Sequence, residues 1–470
     1  MLLQALQSLR ALETSTVLYS TTALALLLSL VFAASIQNGT SSSTRKKLRN
    51  LHKLGLSSST SNMTDQYDPK YFLPEDAETD GPIRIKSIYI HPVKSCGPVE
   101  LKRALLTKTG FMYDRCFAIA TQTDGKWRFI SQRTKPAMAR IANELWLPHA
   151  RSDPSDPLVK AGGCLVLRFP DLDPHPPTWA DRLETFWHTG RFCATPEVSI
   201  LVPLEPTRDQ VDKYQIAQKT FAIHRRDTTG RDMSGIPSVA SGLPKLKRFL
   251  GLPDSQPLLL LRCTDTSLLR TDQNLAPLEN IGSPAVHGYT DQQPVNINSL
   301  SSVHALSVLL PKENQPLDAL RFRANLWTTG APAYAEETWK RYRIVPKPTA
   351  PADRGEEQRA SVAPALSVVC RTSRCTMPNV DPETGAFDTD LPLPGKTKGR
   401  PQPSTTLVEY RTVETGNKAA LGYLGMHCVP EDRDLRDAEL QGKGLYVEVG
   451  DEIEVLETGV HVYGETGDDY

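Results

Sequence analysis

Short alternations of hydrophobic and polar residues recur along this chain, and a period of two is typical of half-buried β-strands. The clearest runs from 83 to 90, with isoleucine at 83, 85, 88 and 90. Two more, at 111–120 and 126–131, flank Thr123-Asp124-Gly125 and predict a β-hairpin. Further strands are predicted at 165–169, 198–202, 258–262, 294–298 and 366–369. The pattern therefore predicts a β-rich fold.

Helical periodicity is limited to short segments. A basic helix is predicted at 241–252, with Pro244 near its first turn and Gly251 near its end. A second is predicted at 299–310, with Ser299 as its N-cap. Two proline-containing insertions, 346–358 and 392–403, are expected to be peripheral or disordered. The predicted class is α+β and β-rich, with the helices at the periphery.

The N-terminus carries an uncharged run of twenty residues, from Val17 to Ile36, which is the length of a membrane-spanning helix. Arg10 is the single basic residue before the run, and Arg45, Lys46, Lys47, Arg49 and Lys53 follow it. This asymmetry predicts that the bulk of the chain faces the cytosol. A cleaved signal peptide is the alternative. The predicted segments are 1–16, a transmembrane signal anchor at 17–36 and a flexible linker at 37–80.

Charge and cysteine usage exclude several classes of protein. Lysine plus arginine equals aspartate plus glutamate at 54 each, so no basic surface for nucleic acid is indicated. The eight cysteines lack the spacing of a disulfide scaffold or an iron–sulfur site, which favours free thiols in a reducing compartment. At 470 residues the chain has room for two or three domains.

The most informative local sequence is 373–385, Ser-Arg-Cys-Thr-Met-Pro-Asn-Val-Asp-Pro-Glu-Thr-Gly, in which Cys375 follows Arg374. A thiolate is a nucleophile and a strong ligand for soft metals, and a neighbouring guanidinium favours its ionised form. The alternative is a half-buried cysteine ahead of an ordinary turn. A second signal upstream, Tyr-Ile-His-Pro-Val-Lys-Ser-Cys at 89–96, favours the functional interpretation.

Six motifs, in this order, resemble those of the MOSC family, and most closely those of its amidoxime-reducing components. They are Pro-Val-Lys-Ser-Cys at 92–96, Tyr-Asp-Arg-Cys-Phe at 113–117, Phe-Ile-Ser-Gln-Arg at 129–133, Tyr-Thr-Asp-Gln-Gln-Pro at 289–294, Arg-Phe-Arg-Ala-Asn at 321–325 and the cysteine loop itself. The segment Leu-Tyr-Val-Glu-Val-Gly-Asp at 445–451 resembles the closing strand of the family. The resemblance implies a MOSC N-terminal β-barrel domain at 81–215, a MOSC β-barrel domain at 255–460 and a tail at 461–470.

The resemblance also implies a molybdenum cofactor, in which a pterin carries the metal (Mo-molybdopterin). Cys375 matches the family's molybdenum ligand, and Asp291 matches an aspartate near the metal that could donate a proton or contact the substrate. The residues implied in cofactor binding are Lys94, Ser95, Arg115, Gln292, Gln293, Arg323, Ser373, Arg374 and His427. Gln292 and Gln293 stand where the family has short hydroxyl residues.

Each of these residues also has a structural interpretation. The basic residues could be solvated surface charges, and Asp291 could cap the next element. A zinc cluster of His427, Cys428, Cys370 and Cys375 fits poorly, because zinc sites rarely have that spacing. Cys370 is expected to be a core cysteine.

By resemblance, the predicted function is a membrane-anchored molybdenum oxidoreductase that reduces small N-hydroxylated substrates of the amidoxime or hydroxylamine type. The chain lacks nicotinamide, flavin and iron–sulfur signatures, so electrons are expected from a separate partner. The resemblance implies that this partner is cytochrome b5, which is reduced by its NADH-dependent reductase. The mitochondrial outer membrane is favoured, with the endoplasmic reticulum as the alternative. A sulfur-carrying or cofactor-binding module, with a persulfide on Cys375, and a degenerate scaffold are the other two possibilities.

Overall fold

Strands dominate the computed structural model, which describes residues 44, 46–173, 195–224, 226–271, 276–347, 358–392, 394–414 and 421–461. The strands are β1 (Leu51–Leu54), β2 (Ile83–Ile90), β3 (Val99–Leu101), β4 (Arg103–Thr107), β5 (Gly110–Phe111), β6 (Phe117–Thr123), β7 (Lys126–Phe129), β8 (Ala142–Pro148), β9 (Cys164–Pro170), β10 (Glu197–Pro203), β11 (Gln218–Ile223), β12 (Arg226–Asp232), β13 (Leu258–Arg262), β14 (Leu269–Arg270), β15 (Val286–His287), β16 (Val295–Ser299), β17 (Leu326–Thr329), β18 (Trp339–Val345), β19 (Ala365–Arg374), β20 (Gly422–Pro430), β21 (Tyr446–Glu448) and β22 (Glu452–Thr458). The helices are α1 (Pro157–Lys160), α2 (Arg208–Lys213), α3 (Pro237–Phe249), α4 (Leu278–Ile281), α5 (Leu300–Ser307), α6 (Ser404–Tyr410) and α7 (Asp432–Leu440). The β-rich class is confirmed.

Strands β6 and β7 form the predicted hairpin, in which Thr123 pairs with Lys126. Asp124 and Gly125 between them have φ angles of 52° and 75°. Two positive φ angles are what a two-residue hairpin turn of type I′ requires, and Asp-Gly is a preferred sequence there. The hairpin belongs to a closed barrel in the order β11-β12-β13-β6-β7.

A second, larger sheet has the order β17-β16-β20-β19-β18-β22-β2-β3, and β2 also pairs with β17, which joins the sheet into a ring. Its first strand in the chain, β2, buries Ile85, Ile88 and Ile90, but the alternation holds only in its first half, because residues 87–90 are all buried. The predicted division into 81–215 and 255–460 is therefore not a division between sheets, because β2 and β3 lie among the strands of the later segment. Directly after β2 the chain crosses to the closed barrel, where Lys94 N donates to Phe117 O at 2.8 Å.

The predicted flexible linker, 37–80, is in part built into the fold. Strand β1 pairs with β8 in the sheet β1-β8-β9-β10. Beyond it, the Asn62 backbone and side-chain amides both donate to Glu100 Oε1, at 2.8 and 3.0 Å. Met63 is buried, and Leu73 and Ser301 exchange hydrogen bonds of 2.7 Å. We call residues 51–73 the N-terminal strap.

Of the two predicted helices, one starts where it was predicted to start and the other does not. Helix α3 begins at Pro237, four residues before the predicted start, because proline is well suited to the first position of a helix. Pro244 consequently lies inside the helix rather than in its first turn. Helix α5 begins as predicted, with the Ser299 hydroxyl accepting a hydrogen bond from Ser301 N at 3.2 Å.

The ends of the insertion at 346–358 are fixed by one buried carboxylate. Asp451, fully buried, accepts hydrogen bonds from Lys347 N at 3.1 Å and from Arg359 Nη2 at 2.7 Å. It also accepts from Glu448 N at 2.8 Å. Residues 348–357 lie outside the described part of the chain. In the insertion at 392–403, Arg400 pairs with Asp390 at 2.8 Å.

A second buried carboxylate lies beside helix α5. Glu336 is fully buried and accepts from Ser302 Oγ at 2.8 Å and from Ser299 N at 3.3 Å. Its Oε2 has no hydrogen-bond partner among the described residues. Burial, reinforced by the neighbouring Glu337 charge, raises the pKa of Glu336 to about 7. A proton on this carboxyl removes the buried charge.

The predicted membrane localisation requires correction. In the ranges that the structure describes, no helix combines the length and the apolar character needed to cross a bilayer. The predicted anchor at 17–36 lies outside those ranges, so the single-pass topology and the assignment to an organelle membrane are withdrawn.

Seven described cysteines are free thiols, among them the buried Cys370, and Cys193 lies outside the described residues.

Candidate functional site

The candidate site begins at the turn after β2, where the larger sheet meets the closed barrel. Lys94 is buried, and its Nζ donates to Tyr289 O at 2.9 Å and to the Asp291 carboxylate. The Lys94 ammonium also lies 5.3 Å from the centre of the Phe129 ring. Ser95 follows with a φ of 68°, and its buried Oγ has no hydrogen-bond partner in the described ranges. The turn thus presents a fixed cation and a hydroxyl with unused hydrogen-bonding capacity.

Two arginines converge on this turn. Arg115 donates to Asp114 Oδ2 at 2.5 Å and to Arg323 O at 3.0 Å. Arg323 Nη1 donates to Cys96 O at 2.7 Å, while the buried Nη2 of Arg323 finds no acceptor among the described residues. Burial, reinforced by the charge of Arg115, lowers the pKa of Arg323 to about 10. Adjacent guanidiniums with a spare donor favour an anionic ligand.

Left-handed backbone is concentrated at the site. The φ angles of Ser95, Arg115, His224 and Arg323 are 68°, 46°, 55° and 54°. These four belong to the eight described non-glycine residues with positive φ. Such conformations cost roughly 1–3 kcal/mol each and cluster at functional sites, where the surrounding structure holds them.

Asp291 lies between two cationic or polar partners, with a side chain that is 47% exposed. Lys94 binds its Oδ1, and His224 Nε2 lies 3.6 Å from the same oxygen. Burial alone would raise the pKa of Asp291, but Lys94 and His224 outweigh it and hold that pKa well below its usual range. Asp291 is therefore an anion at neutral pH, which favours a contact with the substrate over proton donation.

Strand β19 ends at the predicted metal ligand. The Arg374 guanidinium donates from Nε to Leu424 O and from Nη1 to Phe322 O, both at 2.8 Å. It thereby joins β19 to β20 and to the turn before Arg323. The next residue, Cys375, is partly exposed, and its Sγ accepts a hydrogen bond from Met377 N at 3.5 Å. A thiol held at a strand end with an accessible sulfur is suited to binding a metal.

Three buried histidines lie among these charges and are neutral. Burial, reinforced by Arg374, lowers the pKa of His427 to about 3. Burial, reinforced by Arg226, lowers the pKa of His287 to about 3, and the pKa of His91 also lies well below its usual value. The buried Nδ1 atoms of His91 and His427 have no hydrogen-bond partner in the part of the chain that the structure describes. They remain available to a ligand.

The remaining predicted residues differ in their contacts. Both amide atoms of Gln293 are buried without partners among the described residues. The Gln292 side-chain oxygen accepts from Cys370 Sγ at 3.9 Å. Ser373 lies on β19 opposite Tyr423. The structure thus brings most of the predicted set together, whereas Gln292 contacts a core cysteine.

Several site residues were not predicted. His91 and His287 lie in the motif runs at 89–96 and just before 289–294, so their positions beside matched residues were the available signal. Asn296, whose amide donates to Thr372 Oγ1 at 2.6 Å, follows the second run. His224 lies between β11 and β12 and Arg226 begins β12, and no sequence pattern marks either residue. Arg226 Nη2 donates to Thr290 O at 3.2 Å.

The charges and the unpartnered polar atoms of the site decide whether it fits a pterin-bound metal. The cations are Lys94, Arg115, Arg226, Arg323 and Arg374, against the carboxylates of Asp114 and Asp291. This surplus of positive charge suits an anionic group such as a phosphate. The unpartnered atoms of Ser95, Gln293, Arg323 and His427 are donors and acceptors of the kind that polar ring edges need. No group of three or more His, Cys, Asp and Glu residues in the described ranges could hold a metal ion, so a thiolate of the chain would be one ligand among others supplied with the metal. The residues therefore fit such a cofactor.

Comparison of the amino-acid sequence with known proteins identifies the family of this chain. Residues 82–171 match the model of the MOSC N-terminal beta barrel domain, and residues 284–454 match that of the MOSC domain. Mitochondrial amidoxime reducing component 2 of Homo sapiens is 22% identical over 338 residues, which cover 71% of this chain and 74% of the relative. Mitochondrial amidoxime-reducing component 1 of Xenopus laevis is 22% identical over 66% of this chain and 69% of its own length. A molybdenum cofactor sulfurase of Oryza sativa subsp. japonica is 23% identical over 56% of this chain but only 26% of its own length. The chain belongs to the MOSC family, with a MOSC N-terminal β-barrel domain followed by a MOSC domain.

Proposed function

We propose that this protein is a molybdenum-cofactor-dependent oxidoreductase that reduces small N-hydroxylated compounds such as amidoximes. The observation that carries the proposal is the cationic cluster around Lys94, Arg115 and Arg323, whose unpartnered buried atoms lie beside a strand ending in the accessible thiol of Cys375. The similarity to two amidoxime reducing components supports it.

In this proposal each residue has a distinct task. Arg115, Arg323 and Lys94 bind the anionic and polar edges of the cofactor, and Cys375 supplies the chain's ligand to the metal. The cofactor, when bound, would transfer two electrons to the N–O bond, which breaks with uptake of two protons and release of water. The Asp291 carboxylate, ionised at neutral pH, accepts a hydrogen bond from the substrate's N–H and orients it. The proton delivered to the leaving oxygen then has to come from another source.

Electrons would come from outside the chain. By family resemblance the donors would be cytochrome b5 and its NADH-dependent reductase. The test reconstitutes the full-length protein with both donors and follows NADH oxidation with benzamidoxime. We expect turnover only with all three proteins and with molybdenum present, as measured by elemental analysis.

Cys375→Ala is expected to abolish turnover, because alanine leaves a coordination position without its thiolate. Cys370→Ala is the matched control, since Cys370 is a buried cysteine on β19, the strand that ends one residue before Cys375. Activity of Cys375→Ala equal to that of the wild type would refute the ligand role. If this protein, loaded with molybdenum, did not reduce benzamidoxime in the presence of both donors, the proposed amidoxime reductase activity would be refuted.

The second candidate is a sulfur-carrying module, favoured by the similarity to a molybdenum cofactor sulfurase and by the accessible thiol of Cys375. It would be distinguished by mass spectrometry of the Cys375 peptide. An added sulfur atom on Cys375, without amidoxime reduction, would favour the carrier.

A further inference from the structure

The turn between β11 and β12 brings a histidine from the closed barrel to Asp291. Ile223 pairs with Arg226 at the ends of the two strands, and His224 directly follows Ile223. Its φ of 55° is in the region that glycine and asparagine favour in such turns. The His224 side chain is 11% exposed and packs edge-on against Phe129, with ring centres 5.0 Å apart. The imidazole is therefore held in one place by its turn and by an aromatic ring.

The partners of the two ring nitrogens determine where the proton is. Arg133 Nη2 lies 2.9 Å from His224 Nδ1. A guanidinium has donors and no acceptor, so Nδ1 has to accept this hydrogen bond. A neutral imidazole that accepts at Nδ1 carries its hydrogen at Nε2, which is the nitrogen 3.6 Å from Asp291 Oδ1. At this distance the pair is slightly longer than a hydrogen bond, and Nε2–H is the donor of the ring on the side of the carboxylate.

We propose that His224 is a positioning residue for Asp291, held by Arg133 in the tautomer that directs Nε2–H at the carboxylate. The proposal rests on the proposed function in one respect, namely that Asp291 contacts the substrate. With Lys94 on the same oxygen, the carboxylate would be held between a cation from the β2 turn and a donor from the closed barrel. Arg133 does not reach the substrate in this scheme and acts through the imidazole.

The charged surroundings of His224 allow a clean test. Among the described residues, the charged groups near His224 include Arg133 beyond β7, Asp291 with its partner Lys94, and Arg226 at the start of β12. Arginine can only donate a hydrogen bond, whereas glutamine can donate or accept one. With Arg133→Gln, a polar group remains beside Nδ1, but Nδ1 is no longer forced to be the acceptor, so either ring nitrogen can carry the hydrogen.

The direct readout is nitrogen NMR of the full-length protein labelled at histidine. The His224 signals are identified by their absence in His224→Gln, and His52→Gln, at an exposed position on β1, serves as control. At a pH where the ring is neutral, we expect His224 to be entirely protonated at Nε2 in the wild type and to populate both tautomers in Arg133→Gln. A wild-type signal protonated at Nδ1, or identical tautomer ratios in both proteins, would overturn the proposal.

Kinetics give the second readout. In molybdenum-loaded protein, His224→Ala should lower kcat for amidoxime about 10- to 100-fold, because misplacing a reacting group by about 1 Å has an effect of that size. His224→Gln should recover most of the rate, since its amide can donate to Asp291. Equal loss in Ala and Gln variants with normal folding and molybdenum content would refute positioning. If the wild type itself neither bound molybdenum nor reduced amidoxime, the proposed function would fail, and the NMR result would still decide the tautomer.

Discussion

The buried carboxyl of Glu336 makes the stability of this protein depend on pH in a predictable direction. Its pKa is about 7 in the folded protein against an ordinary value of 4.5. Between pH 4.5 and pH 7 the folded chain binds more protons than the unfolded chain. The free energy of unfolding is therefore highest below pH 4.5, as far as this group is concerned, and falls as the pH rises towards 7. At about 1.4 kcal/mol per pH unit, the loss approaches about 3 kcal/mol once the pH is above 7.

Glu336→Gln removes the titration and keeps a group that can accept from Ser302. We expect the free energy of unfolding of the wild type to fall by about 2–3 kcal/mol between pH 5 and pH 8 relative to the variant, by linkage. Urea unfolding at several pH values measures this difference, with unchanged m-values as the condition for comparison. Glu409→Gln, at an exposed position on α6, should follow the wild-type profile. If wild type and Glu336→Gln lost stability in parallel, the neutral buried carboxyl would be ruled out.

Two further predictions concern the cofactor cluster and the carboxylate at the insertion. Arg115→Met and Arg323→Met should purify with much less molybdenum per chain than the wild type, because losing a buried charged partner costs roughly 2–5 kcal/mol of binding. Arg343→Met, at an exposed ion pair, is their control, and full occupancy in both site variants would assign them a structural role. Asp451→Asn should lower the free energy of unfolding by about 3 kcal/mol, since it removes the charge that pairs with Arg359 at 2.7 Å and leaves this guanidinium only its longer ion pair with Glu448 at 3.8 Å. Glu452→Gln, which breaks only the exposed pair with Arg84, should change it by less than about 1 kcal/mol, and equal effects would contradict the burial argument.

Local pattern was sufficient for much of the fold. The Asp-Gly turn of the β6–β7 hairpin and the Ser299 cap each reflect interactions between residues close in sequence. Short motifs predicted Lys94, Arg115 and Arg323 as candidate site residues. Their convergence could not be derived from spacing, since it depends on β2 joining a sheet made mostly of strands far along the chain.

The errors arise where tertiary contacts dominate. The strap is rich in serine, threonine and asparagine and was predicted as a linker, but in the structure Met63 is buried and Asn62 donates to Glu100. His224 and Arg133 are separated by 91 positions, and their contact has no local signal. Helix α3 begins earlier than predicted because Pro237 was a better first residue than the pattern suggested.

The N-terminal strap has a practical consequence for anyone who shortens the chain. A truncation at about residue 65 would remove β1, leave β8 as an open sheet edge and expose the hydrophobic surface that Met63 covers. It would also take both amide donors of Asn62 from Glu100, whose remaining described partner is the Tyr89 hydroxyl at 2.9 Å. Open strand edges invite association with other chains. A shortened protein should therefore begin before Leu51, and aggregation of shorter versions would reflect the cut and not the active site.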